Sequence, residues 1–233
     1  MEMVEKASIK EKYPLIFGNI DVRFVKDESI PQKKIYNFFK RLMDICCSLI
    51  ALVCLCWVFA IVAIAIKIED GGPIIFSQTR VGKNGKLFKF YKLRSMKIDA
   101  HKMKDDLMEY NESDGPTFKM ENDPRITKVG AFIRRYSIDE LPQLINILKG
   151  DMSIVGPRPP LVQEVMQYDE FAMRRLSVKT GLTCYWQCSG RSNIGFEEWM
   201  KLDNKYIDER GIWTDIKIIF KTILAVFKSD GAY

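Results

Sequence analysis

The chain has 233 residues, 47% hydrophobic and 28% charged, with a formal charge of +6. That length suits one catalytic domain plus a membrane element, and that charge content argues against both a multi-span transporter and a disordered chain. The single histidine, His101, removes His-rich metal sites and leaves a Ser-His-Asp mechanism only if His101 is its base.

The excess of Lys and Arg attracts anionic lipid, phosphorylated small molecules or nucleic acid. An apolar segment described below favours lipid and phosphate, so no nucleic-acid partner is expected. Six cysteines are present. Cys46, Cys47, Cys54 and Cys56 lie in or beside the apolar segment, and none of the six is spaced with a histidine as zinc ligands are. Reduced thiols in a cytosol-facing protein are expected, with a Cys184–Cys188 disulfide as the alternative.

Residues 1–39 read as a cytosolic extension, weakly patterned up to residue 32 and interrupted by Pro14 and Pro31. Lys33 to Arg41 is basic and aromatic, suited to the lipid headgroup layer. Ile45 to Ile66 carries no charge. Such a run reaches roughly 30 Å as a helix, the thickness of a hydrocarbon core. It starts too far from the N-terminus for a cleaved leader. Lysines and arginines flank it on both sides, which predicts that both ends stay on the cytoplasmic face. A re-entrant hairpin over residues 40–68, broken near its middle, meets that condition; a single span competes with it. Residues 69–233 form the expected catalytic domain.

Gly71-Gly72-Pro73 marks a turn. Ile74 to Phe76 and Phe88 to Leu93 read as strands joined by the loop Val81 to Lys86. Helices are expected over Asp99–Tyr110, after Asp139 as far as Gly150, over Leu161–Leu176, within Gly195–Asp208, and over Asp215–Lys228. In the last, Ile216, Ile219, Phe220, Ile223 and Phe227 share a face, with Lys217, Lys221 and Lys228 on another stripe. That pattern fits either a helix lying on a bilayer or ordinary core packing.

Asp139-Glu140 is the central candidate for chemistry. Two readings stay open. Ser137-x-x-Glu140 matches a capping box, and acids favour the first turn of any helix. Pro142 then falls past the first turn, where it removes a helix hydrogen bond; with Asp139 as the cap it moves into the tolerated region. Alternatively, the two carboxylates share a divalent cation and one of them acts as a nucleophile. Gly156-Pro157-Arg158-Pro159 holds Arg158 near extended geometry, which pre-orients a guanidinium for phosphate. Arg80, Lys92, Arg94, Arg134 and Arg191 are further candidate phosphate contacts.

The stretch from Ser137 through Ile-Asp-Glu-Leu-Pro-Gln to Gly-Pro-Arg-Pro159 closely resembles the bacterial sugar transferase family. These are small monotopic polyprenyl-phosphate phosphoglycosyl transferases. Phe76-Ser-Gln-Thr-Arg-Val-Gly82, Phe90-Tyr-Lys-Leu-Arg-Ser-Met96, Asn122-Asp-Pro-Arg-Ile-Thr127 and Gly190-Arg191 extend the match from Lys40 to the C-terminus.

The resemblance implies transfer of a sugar 1-phosphate from a UDP-sugar to undecaprenyl phosphate, with release of UMP. This is the first membrane step in building a capsule, exopolysaccharide or other glycan. It implies Asp139 as nucleophile, Glu140 as its partner, Mg2+ shared by both, and phosphate contacts at Lys92, Arg134 and Arg158. It further implies a mainly α domain with a small β element (α+β), a re-entrant helix, interfacial amphipathic helices, and a place on the cytoplasmic face of the bacterial cell membrane. Downstream glycosyltransferases are the expected protein partners.

Two departures stand out. Cys56-Trp57 occupies the place where the family breaks its re-entrant helix at Ser-Pro, and Thr180 and Cys184 stand where the family tends to Pro and Gly, in the turn from Lys179 to Arg191 that the resemblance implies helps to hold the nucleotide. Larger members carry extra spanning helices before the catalytic part; about forty residues precede it here, so a form without them is expected. Two other readings compete: a non-catalytic anchored scaffold, which would not need Asp139, and a membrane-tethered nucleic-acid binder, which would need a basic aromatic surface apart from the dyad.

Overall fold

The structure is a computed structural model, and it describes residues 30–31, 33–100, 102–103, 106–118, 120–189 and 194–228. It is mainly α with small β elements, as the sequence predicts. His101 and Arg191 lie outside the described residues, as do residues 1–29.

Helix α1, Lys34–Asp70, runs for 37 residues, beyond both expected edges of the membrane element. At about 1.5 Å per residue it is about 55 Å long. The hairpin broken near its middle does not form. Cys56-Trp57 supplies no proline, every backbone N–H can bond along the helix, and α1 stays one element. It stops at Gly71, which takes a left-handed φ of 70° and donates its N–H to Lys67 O at 3.0 Å.

Both ends of α1 are fastened to the rest of the chain. Near the start, Lys40 pairs with Asp215 at 2.7 Å, and Asp44 Oδ1 accepts from Ser153 Oγ and Ile154 N, each at 2.9 Å. Near the finish, Glu69 accepts from Lys128 N at 2.7 Å, and Asp70 takes the Arg94 guanidinium. Between them the outward face is bare hydrocarbon: Val53, Trp57, Ile61, Ile64 and Ile68 are all 60% or more exposed.

Strands β1 (Ile75–Val81) and β2 (Leu87–Leu93) form an antiparallel hairpin in the register Ile75↔Leu93 to Val81↔Leu87. Alternation along β2 puts Phe88, Phe90 and Lys92 on one face. Phe88 and Phe90 are buried there. Helix α2, Lys128–Arg135, is capped by Thr127 Oγ1, which accepts from Gly130 N at 2.9 Å. Helix α3, Gln143–Lys149, ends on Gly150 at a φ of 87°. Asn146 on α3 binds the edge of β2, accepting from Tyr91 N at 3.1 Å and donating to Lys89 O at 2.6 Å. This contact fixes α3 against the strand that carries Lys92.

A second small sheet was not expected from sequence. β3 (Ser153–Val155) lies parallel to β4 (Gly181–Thr183). The backbones meet so closely beside it that a Cβ on Gly156 would stand 2.3 Å from Lys179 O. Only glycine fits there.

Two expected helices do not form. The described residues of Asp99–Tyr110 make turns closed by a 3-10 turn at Met108–Tyr110, because the run has no sustained apolar stripe to bury. Leu161–Leu176 breaks into α4 (Val162–Val165), α5 (Glu170–Met173) and a 3-10 segment from Arg174. Asp169 causes the break: it is extended, and its carboxylate accepts from Ala172 N at 2.8 Å, restarting the helix. Short α6, Tyr185–Cys188, follows β4. The chain then forms α7 (Phe196–Glu209) and α8 (Ile212–Lys228).

Helix α8 packs inward through Asp215 and Ile218, both wholly buried, while Trp213, Phe220, Ile223 and Leu224 face outward. Its apolar surface exceeds what the domain covers. The side chains of Phe227 and Lys228 fall outside the described residues. Cys184 and Cys188 are not joined by a disulfide, and Cys188 donates to Cys184 O.

Candidate active site

The capping box of the Asp-Glu segment does not form. Ser137 is left-handed, with φ 56°, and its side chain caps nothing. Ile138–Glu140 follows as a 3-10 turn, and α3 starts only after Pro142, where a missing N–H costs nothing. A left-handed non-glycine costs about 1 to 2 kcal/mol. Here it directs the next carboxylates towards β2.

Asp139 is 5% exposed. The Lys92 ammonium bridges the dyad, at 3.2 Å from Asp139 Oδ2 and 2.8 Å from Glu140 Oε1. Burial raises the Asp139 carboxyl above the usual range; Lys92 and Arg134 oppose the rise, and Glu140 adds to it. Burial thus favours the acid form of this group, and the two cations favour its nucleophilic carboxylate.

The dyad opens into a cavity of about 760 Å3. Lys92, Arg134, Asp139, Glu140 and Arg158 all line it. Among the described residues, neither the Arg134 nor the Arg158 guanidinium has a hydrogen bond or ion pair. Two unpaired guanidiniums beside an anionic dyad suit a ligand with its own negative charge.

Arg158 rides on a fixed loop. Four successive carbonyls are each held: Pro157 O accepts from Gly181 N at 2.9 Å and Arg158 O from Arg175 Nη2 at 3.1 Å; Pro159 O accepts from Arg80 Nη1 and Pro160 O from Val81 N, each at 3.0 Å. Arg80 is therefore committed behind the cavity, not within its lining. Burial, with Arg158 close by, pushes its guanidinium down to about 9, still charged at neutral pH. Arg94 lies outside the lining too: it grips Asp70 with both Nη atoms and gives Nε to Pro73 O at 2.6 Å.

Several lining residues have no role in the sequence reading. Arg125, from the Asn-Asp-Pro-Arg motif, pairs with Asp123 at 2.6 Å. Gln143, one turn beyond Asp139, is 2% exposed, and its Nε2 has no partner. Trp186 and Trp199 stack with ring centroids 4.4 Å apart. The Asp-Pro-Arg string signalled the first of these. Trp186 lies in the Lys179–Arg191 turn that the resemblance links to the nucleotide, whereas nothing local signalled Trp199, which meets it from a separate helix. Ala51, Leu55 and Val58 of α1 close an apolar side of the cavity with Val226 of α8.

Among the described residues, no group of three or more His, Cys, Asp or Glu side chains could hold a metal ion. The Asp139–Glu140 pair still fits magnesium, which commonly takes one or two carboxylates and completes its shell with water and substrate phosphate. Lys92 already places one positive charge between the two carboxylates.

The family model for bacterial sugar transferases matches residues 35–229. The chain is 47% identical to a galactosyl transferase, CpsE, of Streptococcus agalactiae, over 93% of this chain and 53% of that protein. It is 39% identical to the undecaprenyl-phosphate galactose phosphotransferase of Salmonella typhimurium, over 92% of this chain and 48% of that protein. It is 40% identical to the UDP-glucose:undecaprenyl-phosphate glucose-1-phosphate transferase of Escherichia coli, over 87% of this chain and 43% of that protein. The chain thus spans about half the length of these relatives. With residues 35–229 under one family model, and Lys92, Arg134, Asp139, Glu140 and Arg158 around one cavity, this protein belongs to the bacterial sugar transferase family.

Proposed function

We propose that this chain transfers a sugar 1-phosphate from a UDP-sugar to undecaprenyl phosphate and releases UMP. The observation that carries the reading is the buried Asp139, bridged to Glu140 by Lys92, in a cavity with two guanidiniums that are unpaired among the described residues. The names of the relatives from Salmonella and E. coli support this reaction class.

In the first step, an Asp139 carboxylate oxygen attacks the phosphorus that bears the sugar. The bond to the bridging oxygen breaks, UMP leaves, and a phosphosugar remains on Asp139. In the second, a phosphate oxygen of undecaprenyl phosphate attacks that phosphorus, frees the Asp139 carboxylate and forms the lipid diphosphosugar. Lys92, Arg134 and Arg158 hold the phosphoryl oxygens, whose charge is the main obstacle in such transfers. Lys92 also pulls the Asp139 carboxyl back towards its ionised form, against its burial. Magnesium held by Asp139 and Glu140 would add positive charge against the same oxygens.

The bare faces of α1 and α8 would lie in the bilayer surface. A helix with both ends tied to one domain cannot leave its ends on opposite sides of a membrane, so α1 is read as monotopic, on the cytoplasmic face. Cysteine probes placed before residue 40 and after residue 70 should both resist labelling from outside intact cells; labelling of the N-terminal probe alone would overturn this topology.

The reaction is tested by UMP release from a panel of UDP-sugars, with magnesium and undecaprenyl phosphate, beside Asp139→Asn. Release that needs both the lipid and Asp139 is expected. Wild-type release from the variant would remove the nucleophile assignment.

A further inference from the structure

We infer that Arg175 is a positioning residue for the transfer: from behind the cavity it fixes the place of Arg158, and so the grip of Arg158 on a phosphoryl group. The inference rests on the reaction proposed above and adds to it a residue that touches no substrate.

The loop that carries Arg158 has few donors of its own. Pro157, Pro159 and Pro160 have no N–H, so the segment is held mainly through its carbonyls, by donors from elsewhere in the chain. The carbonyl of Arg158 accepts from Nη2 of Arg175 at 3.1 Å, a side chain 17 residues further on and only 1% exposed. The surroundings of Arg175 hold that guanidinium still. Its Nη1 donates to the Tyr168 hydroxyl at 2.8 Å. Its carbon lies 4.8 Å from the Trp199 ring centroid and 5.6 Å from that of Tyr168. Asp203, wholly buried, sets Oδ2 2.7 Å from Nη2. Trp199 and Asp203 are one turn apart on α7, so one helix supplies both a ring and the counter-charge.

Stability alone does not account for this arrangement. A buried ion pair seldom outdoes apolar side chains of the same volume. Here the pair is also poorly directed: despite the short contact, neither Asp203 oxygen has a hydrogen-bond partner among the described residues. The aligned bonds of Arg175 go to Tyr168 and to the Arg158 carbonyl. Asp203 offsets the charge, and the fork of the guanidinium is spent on the loop. The Arg158 guanidinium lines the cavity with no hydrogen bond or ion pair among the described residues, so its place is set from its backbone. A displacement of about 1 Å at a reacting centre can cost about 100-fold in rate.

The test is a double-mutant cycle between the two arginines, on the full chain in lipid nanodiscs. Arg175→Met combined with Asp203→Leu removes both buried charges together and strands neither. Arg175→Lys keeps a cation beside Asp203, loses the fork, and carries the test should the first variant not fold. Each should lower kcat/KM for UDP-sugar by about 10- to 100-fold. Arg158→Ala should lower it by about 100- to 1,000-fold. In that background the Arg175 variants should cost no more than about twofold further. A merely structural arginine would cost its full factor in both backgrounds. That additivity, or wild-type kcat/KM in a folded Arg175 variant, would overturn the role.

Binding of inorganic pyrophosphate, which needs no turnover, is measured by calorimetry through the same cycle. Arg158→Ala should weaken it by about tenfold or more, and the Arg175 variants should weaken it only where Arg158 is present. Additive losses there would also overturn the role. Absence of UMP release from wild type removes the proposed reaction instead, and the pyrophosphate cycle then judges Arg175 by itself.

Discussion

Two buried lysine–aspartate contacts in this molecule share a chemistry and differ in how completely they are satisfied. Asp215 uses both oxygens: Oδ2 accepts from Lys40 at 2.7 Å and from Tyr36 at 2.9 Å, and Oδ1 accepts from Tyr206 at 3.0 Å. Asp139 shares a single ammonium with Glu140 and lines an open cavity. The first is a closed network that joins α1 to α8. The second is a charged site that faces a cavity, the condition expected where a substrate completes the set.

That contrast can be broken by exchanging roles. Asp139→Asn should lower UMP release by about 10^4-fold or more, as loss of a nucleophile does, measured under saturating donor and lipid. Asp215→Ala should instead lower stability by about 3 to 5 kcal/mol, because it strands a buried ammonium and two hydroxyls. Chemical denaturation checks this, with kcat of the remaining folded enzyme near wild type.

Lys92→Met should lower kcat/KM by about 100- to 1,000-fold, the loss of one charge-stabilising contact. It should also move the acid limb of the pH–rate profile upwards, since Lys92 pulls the Asp139 carboxyl down. An unmoved limb would separate Lys92 from the nucleophile.

The smallest effect sharpens the comparison most. Burial raises Asp139 above its unfolded value of about 3.9, so its ionisation costs stability as pH rises from that value through the folded one. Asp139→Asn should therefore melt slightly higher than wild type at pH 7 and gain nothing well below pH 4. A variant that melts lower at pH 7 would place Asp139 with Asp215 among the structural acids.

Much of this site was legible in the sequence because it rests on local rules. The run Phe88 to Leu93 announced a strand, and the two prolines around Arg158 announced a stiff loop. What holds that loop was not legible, because the Arg80 and Arg175 guanidiniums come from distant elements. A sequence marks an arginine as a cation and does not say whether it faces a ligand or a carbonyl. Arg94 shows the same limit, spent on Asp70 at the end of α1. The capping-box pattern at Ser137 misled because the left-handed turn there is set by packing against β2. The unbroken α1 followed from the absence of proline at Cys56-Trp57, a departure visible in the residues themselves.

The tie between Lys40 and Asp215 has a consequence in time. The two residues are 175 positions apart. At about 5 to 20 residues per second, a ribosome makes the helix roughly 10 to 35 s before it makes the acid that pairs with it. Throughout that interval the Lys40 charge stands unanswered by Asp215, and α1 gains that tie only when α8 docks.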